Sequence, residues 1–138
     1  MTNLPNEAAG ALAVGWATVE LDRAARELSD LLGSGVVFQD APSSEALGAR
    51  CRVGWSVAEE GVRIVLLEPE TEGRMSATLA RHGEGWVATW VAEATVRPSS
   101  GAQLSGARPG PFGDERLVLG GPVTGPHRLV VEAVPSRP

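Results

Sequence analysis

The order of strand-like and helix-like segments constrains the fold of this chain more than any single motif. One strong helical pattern, ELDRAARELSDLLG at residues 20–33, repeats leucine and alanine at three- and four-residue spacing and stops at a glycine. A strand of small and branched residues precedes it at 12–19. Three strands separated by proline and glycine follow it. The first unit of the chain therefore predicts strand, helix and then three strands.

The second part of the chain repeats the strands of this order without a matching long helix. A short amphipathic helix is predicted at 72–83, a strand at 85–94, and two or three strands with glycine–proline turns at 101–134. Strands accompanied by few helices indicate the α+β class, with helices against one face of a mixed or antiparallel sheet. The predicted units are residues 12–70 and 84–135 of a single domain at 12–138, after an N-terminal tail at 1–11.

Composition and charge exclude several classes of protein. A chain of 138 residues fits one domain, and its net charge of −5 leaves no basic excess for binding nucleic acid. No apolar run approaches the roughly 20 residues of a membrane span, and the N-terminal segment lacks the pattern of a signal peptide. Cys51 is the single cysteine, and its apolar alternation predicts a buried core thiol in a reducing compartment. We therefore expect a cytoplasmic protein with no nucleic-acid or membrane partner.

Four stretches resemble, in the right order, the vicinal oxygen chelate superfamily. They are AVGWATVELDRAARELSDLLG, VRIVLLEPETEG, LARHGEGWVATWV and GARPGPFGDERLVLGGPVTGPHRLVVEAV. This superfamily includes glyoxalase I, methylmalonyl-CoA epimerase and the bleomycin resistance proteins, and the third stretch is most similar to the epimerase branch. The resemblance covers roughly residues 12–135. It implies two βαβββ-type units that form a curled mixed sheet cup for the ligand, the second unit here lacking its helix.

The resemblance also implies a divalent metal in the cup, which this chain is not equipped to hold. The usual ligands are a histidine on the first strand, an acidic or amide side chain on the fourth, a histidine on the fifth and a glutamate on the eighth. Carried over position by position, they fall on Val14 or Ala13, Val65, Ala88 or Val87, and Glu132. Of these side chains only the glutamate can ligate a cation. We therefore expect a metal-independent protein without a cofactor.

The tryptophans suggest what the cup holds instead. The chain has four tryptophans, no tyrosine and two phenylalanines, and three of the tryptophans lie in VGWATVEL and GWVATWVAEA. Alternation along a strand places residues two apart on one face, which the resemblance makes the lining of the cup. An aromatic lining suits an organic ligand, although indoles that merely fill a core are the alternative. The residues expected to bind the ligand are Val14, Trp16, Thr18, Val65, Trp86, Ala88 and Trp90.

Two functions remain open from the sequence. One is a binding protein for a hydrophobic or aromatic small molecule, natural-product or antibiotic-like, in bacterial secondary metabolism. The alternative is a metal-free isomerase, epimerase or cyclase acting on an acyl or polyketide-like substrate. In that case Glu132 would move a proton, and Arg63 or Arg128 would stabilise the enolate. Alternation puts Arg63 on the face of Val65, and we expect Arg128 and Glu132 to point into the cup unless they form a solvated rim or an ion pair.

The missing second helix also predicts a partner. A sheet face without its helix would be bare, and a large bare apolar face usually binds another protein. We therefore expect a homodimer that buries the face left uncovered by residues 95–100. A degenerate subunit that only pairs with another chain is a third possibility.

Overall fold

The computed structural model describes residues 11–32, 36–56, 62–70, 73–92, 103–119 and 126–132, and these residues form eight strands and two helices. The elements in chain order are β1 (Ala13–Ala17), α1 (Leu21–Leu32), β2 (Val36–Ser44), β3 (Ala49–Ser56), β4 (Arg63–Pro69), α2 (Arg74–His82), β5 (Gly85–Ala92), β6 (Arg108–Gly110), β7 (Gly113–Leu117) and β8 (His127–Val131). The predicted α+β class is confirmed. Among the described residues the long helix occurs in the first unit alone.

The eight strands form one mixed sheet in the order β2-β3-β4-β1-β5-β8-β7-β6. Strand β1 pairs in parallel with β4, and β5 pairs in parallel with β8 in the same way. The two units join where β1 and β5 pair in antiparallel fashion. Each half of the sheet thus has the same strand order counted outward from this junction, which confirms the prediction of two units of one kind.

The sheet curls until its two edge strands meet, in a contact that we call the seam. The backbone N–H of Glu45, just after β2, donates to the carbonyl of Pro109 in β6 at 3.0 Å. The guanidinium of Arg108 pairs with the carboxylate of Glu45 at 3.1 Å. Because the seam joins the two halves of one polypeptide, a single chain completes the cup.

Helix α1 covers the outer, convex face of the first unit. Its periodic apolar residues Leu21, Ala24 and Leu28 are buried against Leu66 of β4, and Trp16 packs against the same cluster. This is the contact that the three- and four-residue spacing of leucine and alanine predicts.

The outer face of the second unit is not bare, although no helix of the described residues covers it. Thr89 and Val91 of β5 are 8% and 9% exposed, and Val130 of β8 is 2% exposed. The expectation of an uncovered apolar face is therefore wrong at these residues, and the segment 95–100 lies outside the described residues. The homodimer stays a prediction. Within the described part of the chain, neither helix has the length and apolarity that a membrane crossing requires.

Candidate functional site

A register shift decides where the tryptophans point. In the β1–β5 ladder Ala13 lies opposite Trp90 and Gly15 opposite Ala88, but the register shifts after Gly15 so that Trp16 lies opposite Trp86. Strand β5 therefore carries one extra residue between Trp86 and Ala88. An extra residue reverses the alternation of side chains on either side of it. Trp86 and Trp90 consequently face opposite sides of the sheet.

Trp16 and Trp86 lie together on the outer face. Their rings meet edge to face, with centroids 5.0 Å apart and an interplanar angle of 88°. Val14 is buried in the neighbouring outer cluster with Ile64, against which Trp86 also packs. The prediction that Val14, Trp16 and Trp86 line the cup is wrong, because the inward positions of β1 are Ala13, Gly15 and Ala17.

Thr18 lies outside the cup as well. It follows β1 and is fully buried, and its hydroxyl oxygen accepts the backbone N–H of Glu20 at 3.1 Å. The same side chain contacts the carboxylate of Glu84 at 3.1 Å. Thr18 therefore secures the start of α1 rather than a ligand in the cup, and the prediction of its facing is wrong.

Trp90 is the tryptophan that occupies the cup. It is fully buried in the inner cluster, which also contains Val65 and Ala88, so these three residues face the cup as predicted. The ring meets Phe112 edge to face at a centroid distance of 5.9 Å. A Cβ added to Gly15 would lie 2.9 Å from Cζ3 of Trp90, so the indole lies directly over a residue without a side chain. The cup is filled here by an aromatic side chain.

The inner residues do not fit a divalent metal. Ala13, Val65 and Ala88, which face inward at the positions carried over from the superfamily, offer no donor atom. The described residues contain no group of three or more histidine, cysteine, aspartate or glutamate side chains that could hold a metal ion.

The structure places the predicted catalytic residues on different faces of the sheet. On β8 the apolar side, Leu129 and Val131, is buried in the inner cluster. Arg128 and Glu132 are exposed and point outward, so the prediction that they face the cup is wrong. Arg63 lies opposite the inward Ala13 in the β1–β4 ladder and is half-buried, on the face predicted for it.

The carboxyl group in the cup belongs instead to Glu115 of β7, which is 1% exposed. The indole Nε1–H of Trp90 donates to its Oε1 at 3.1 Å, and the hydroxyl of Ser44 donates to its Oε2 at 2.5 Å. The backbone N–H of Ala46 donates to the same carboxyl group. Gly110 makes room for it, since a Cβ there would lie only 2.1 Å from Oε1.

Burial controls the chemistry of this carboxyl group. Desolvation raises the pKa of Glu115, because the charged form loses water, and the hydrogen bonds from Ser44, Trp90 and Ala46 oppose that rise in part. No ion pair to Glu115 occurs within the described ranges. A buried carboxyl group with hydrogen-bond donors and no counter-ion is suited to exchanging a proton.

The sequence contained one local sign of this residue. In the stretch DERLVL, Glu115 and Leu117 are two apart and so share a face, and Leu117 is buried in the inner cluster. The alternation places a glutamate on the apolar side of β7. Its partners come from distant parts of the chain and carry no local pattern.

A depression of about 450 Å³ lies on the outer face at the β7–β8 end of the sheet, because it is lined by Arg116 and Val130, which alternate with the inward Glu115 and Val131. Phe112 and Val131 line it and also belong to the inner cluster, and Val131 is the ladder partner of Glu115. The charged side chains Asp114, Arg116 and Glu132 line its outer part. The depression and the carboxyl group of Glu115 therefore lie on opposite faces of β7, and Phe112 borders both the depression and the ring of Trp90.

Two other buried titratable groups are packed as core. Cys51 is 4% exposed, as predicted for a core thiol, and burial raises its pKa to about 12. His127 is 4% exposed and contacts the hydroxyl of Thr78 through Nε2 at 2.8 Å. Burial lowers the pKa of His127 to about 4, with Arg74 and His82 as smaller causes.

Similar folds occur among solved structures. The methylmalonyl-CoA epimerase of Mycobacterium tuberculosis is 24% identical with a TM-score of 0.72, over 91% of this chain and 89% of that one. A Streptomyces coelicolor methylmalonyl-CoA epimerase in complex with 2-nitronate-propionyl-CoA is 18% identical with a TM-score of 0.66, over 87% and 94%. A hypothetical protein of Bacillus halodurans is 15% identical with a TM-score of 0.65, over 87% and 91%. No family model and no curated protein matches this chain.

Proposed function

We propose, from the premise that this chain has the vicinal oxygen chelate fold, that it is a metal-independent isomerase acting on the carbon next to an acyl carbonyl. The observation that carries the proposal is Glu115, a buried carboxyl group inside the cup with a raised pKa, in a structure whose described residues contain no cluster of metal-ligating side chains. The epimerase names of the structural neighbours support the same class of reaction.

The proposed reaction is a proton transfer in two steps. The Glu115 carboxylate takes the proton from the carbon next to the carbonyl, and the electron pair of that C–H bond moves into an enolate. The enolate then turns in the cup, and the carboxyl group returns the proton to the opposite face of the same carbon, which restores the carbonyl and gives the epimer of the substrate. A raised pKa makes this carboxylate a stronger base than an exposed glutamate, which favours the first step. Arg63, on the inner side of β4, is the cation proposed to stabilise the enolate oxygen.

The proposed route to Glu115 leads from the outer depression at β7 and β8 past the Phe112 ring, which borders both the depression and the inner cluster. Phe112 closes its inner end, and the ring lies against Trp90, whose indole is bonded to the carboxyl group. An acyl group that displaced the Phe112 ring would contact Glu115. The charged outer part, which includes Arg116, would bind the polar end of the substrate.

The test is deuterium uptake at the carbon next to the carbonyl. A panel of acyl-CoA and acyl-N-acetylcysteamine thioesters is incubated with the protein in D₂O, and deuterium is followed by NMR. Exchange by the parent should fall about 10²–10⁴-fold in Glu115→Gln, the usual contribution of a general base. Glu27→Gln changes an exposed glutamate on α1, away from the depression, so it is the matched control and should exchange at the parent rate.

Two results would contradict the proposal. Exchange that persists in Glu115→Gln would remove this residue as the base, and a panel that takes up no deuterium would remove the isomerase itself. The edge-to-face contact of Trp90 and Phe112 inside the cup favours a second function, aromatic binding without turnover. Quenching of tryptophan fluorescence by an aromatic ligand, with no exchange of any thioester, would favour that function.

A further inference from the structure

We propose that Ser44 is a positioning residue that directs the proton of Glu115 to Oε2 and leaves Oε1 as a permanent acceptor. The inference deepens the proposed function and rests on it for its catalytic meaning. Ser44 comes from β2 in the first unit and Glu115 from β7 in the second. The hydroxyl is fully buried and lies 2.5 Å from Oε2.

The surroundings of Oε1 leave no place for a proton. Trp90 Nε1 can only donate, and its N–H points at Oε1 from 3.1 Å. On another side Oε1 lies against Gly110, where an added Cβ would be 2.1 Å away, so the glycine presents only an α-hydrogen there. A proton on Oε1 would face a donor and a C–H group. Oε1 is therefore an acceptor whether Glu115 is charged or neutral.

The surroundings of Oε2 can accommodate both the charged and the neutral form of Glu115. A hydroxyl has one hydrogen to donate and two lone pairs to accept with. The N–H of Leu47 uses one lone pair of the Ser44 oxygen, at 3.3 Å. When Glu115 is charged, Ser44 donates to Oε2. When Glu115 is neutral, the Oε2–H group donates to the second lone pair of Ser44, and the serine hydrogen turns away.

The position of Ser44 is set by the seam. Strand β2 changes register between Ala41 and Ser44, and the next residue, Glu45, makes the backbone contact to Pro109. This places the serine over the inner end of β7 instead of in the ladder with β3 alone. Proton position at Glu115 thus depends on the closure of the cup between its two halves.

Among the described residues, one other titratable group, Cys51, interacts with the charge of Glu115. The charge of Glu115 contributes to the raised pKa of Cys51 on β3. With a pKa of about 12 the thiol is neutral wherever Glu115 titrates, so it adds no charge of its own. The titration of Glu115 can therefore be assigned to its hydrogen-bond partners.

The experiment is an NMR titration of the protein labelled with ¹³C at the glutamate carboxyl carbon, without substrate. Ser44→Ala removes the donor that stabilises the charged form, so the proton affinity of Glu115 should rise about tenfold or more. Ser43→Ala is the matched control: its hydroxyl bonds to Glu70 at 2.9 Å on the surface, and the titration should not move. An unchanged titration in Ser44→Ala would overturn the proposal.

A second measurement uses the parent protein and so does not depend on the folding of a variant. The indole N–H signal of Trp90 is followed through the titration of Glu115. If the proton binds Oε2, this N–H stays hydrogen-bonded and slow to exchange with solvent at every pH. If the N–H is released when Glu115 is protonated, the proton binds Oε1 and the proposal fails. Neither measurement needs turnover, so an inactive protein would contradict the proposed function while leaving this inference to be decided separately.

Discussion

Gly15 on β1 and Trp90 on β5 pack directly against each other inside the cup. The indole needs a neighbouring strand with no side chain at that point, and Gly15 provides it between the small residues Ala13 and Ala17. Small residues on β1 thus make room for a large residue on β5. This complementarity explains how side chains fill the cup at this point.

Replacing this glycine tests the packing. In Gly15→Ala the new Cβ would lie 2.9 Å from Leu67 Cδ1 and from Trp90 Cζ3, closer than real Cβ contacts, inside a buried cluster. Overpacking of this kind should lower the free energy of unfolding by about 1–3 kcal/mol, measured by urea denaturation. Gly106→Ala is the control, since nothing lies within 4 Å of its added Cβ. Equal stability of the two variants would show that the neighbouring side chains rearrange to make room for the methyl group at Gly15.

At the scale of an element, the start of α1 depends on residues that are distant in sequence. The carboxylate of Glu84, just before β5, accepts the backbone N–H of Val19 at 2.9 Å and pairs with Arg23 of the first helical turn. Glu68 of β4 accepts the N–H of Leu21 at 3.1 Å. Two carboxylates at the N-terminus of the helix also complement its dipole.

We therefore expect Glu84 to stabilise the protein more than an ordinary surface acid does. Its bond to Arg23 is the largest of the causes that lower the pKa of Glu84. Glu84→Ala should lower the free energy of unfolding by about 1–2 kcal/mol, the usual effect of a lost helix cap, with faster hydrogen exchange in α1. Glu27→Ala removes only a 3.4 Å ion pair of the same Arg23, and should cost no more than about 0.5 kcal/mol. A larger loss in Glu27→Ala than in Glu84→Ala would contradict the assignment.

At the scale of the whole molecule, His127 makes folding sensitive to acid. The hydroxyl of Thr78 lies 2.7 Å from the carbonyl oxygen of Arg74 and 2.8 Å from Nε2 of His127, so this buried imidazole has a polar partner in its neutral form. Because burial lowers the pKa of His127 from 6.5 to about 4, the unfolded chain binds a proton more readily between these values. The stability that this histidine contributes is complete above pH 6.5 and is lost as the pH falls towards 4.

The expected loss across this window is about 3 kcal/mol. It should disappear in His127→Gln, measured by urea denaturation at several pH values, and should persist in His82→Gln, which alters an exposed histidine at the end of α2. Glu115 acts in the opposite direction. Its raised pKa stabilises the folded state at low pH, and that contribution is lost as the pH rises through it. The comparison is therefore made between variants at the same pH. A loss of stability at low pH that persists in His127→Gln would show that other titratable groups cause it.

Much of the fold was available from the sequence because it depends on local periodicity. The spacing of apolar residues predicted α1, and the alternation and turn residues predicted the strands on either side of it. The unit order predicted the sheet topology once the resemblance to a known fold was recognised. The expectation of a metal-independent protein came from residue type alone, since Val14 or Ala13, Val65 and Ala88 carry no donor atom in their side chains, and it stays a prediction.

The site was decided by the tertiary structure. One extra residue in β5 turns Trp86 away from Trp90, and no local pattern distinguishes a bulge from continued alternation. Glu115 acquires its environment from Ser44, 71 residues away, and from Trp90, 25 residues away. Curling of the sheet and closure of the seam bring these three together. The same curl decides which side of β8 faces inward. Burial favours the apolar side with Leu129 and Val131, so Arg128 and Glu132 face water. Local sequence determines which residues form a strand, whereas the face that becomes the interior depends on contacts between strands far apart in the chain.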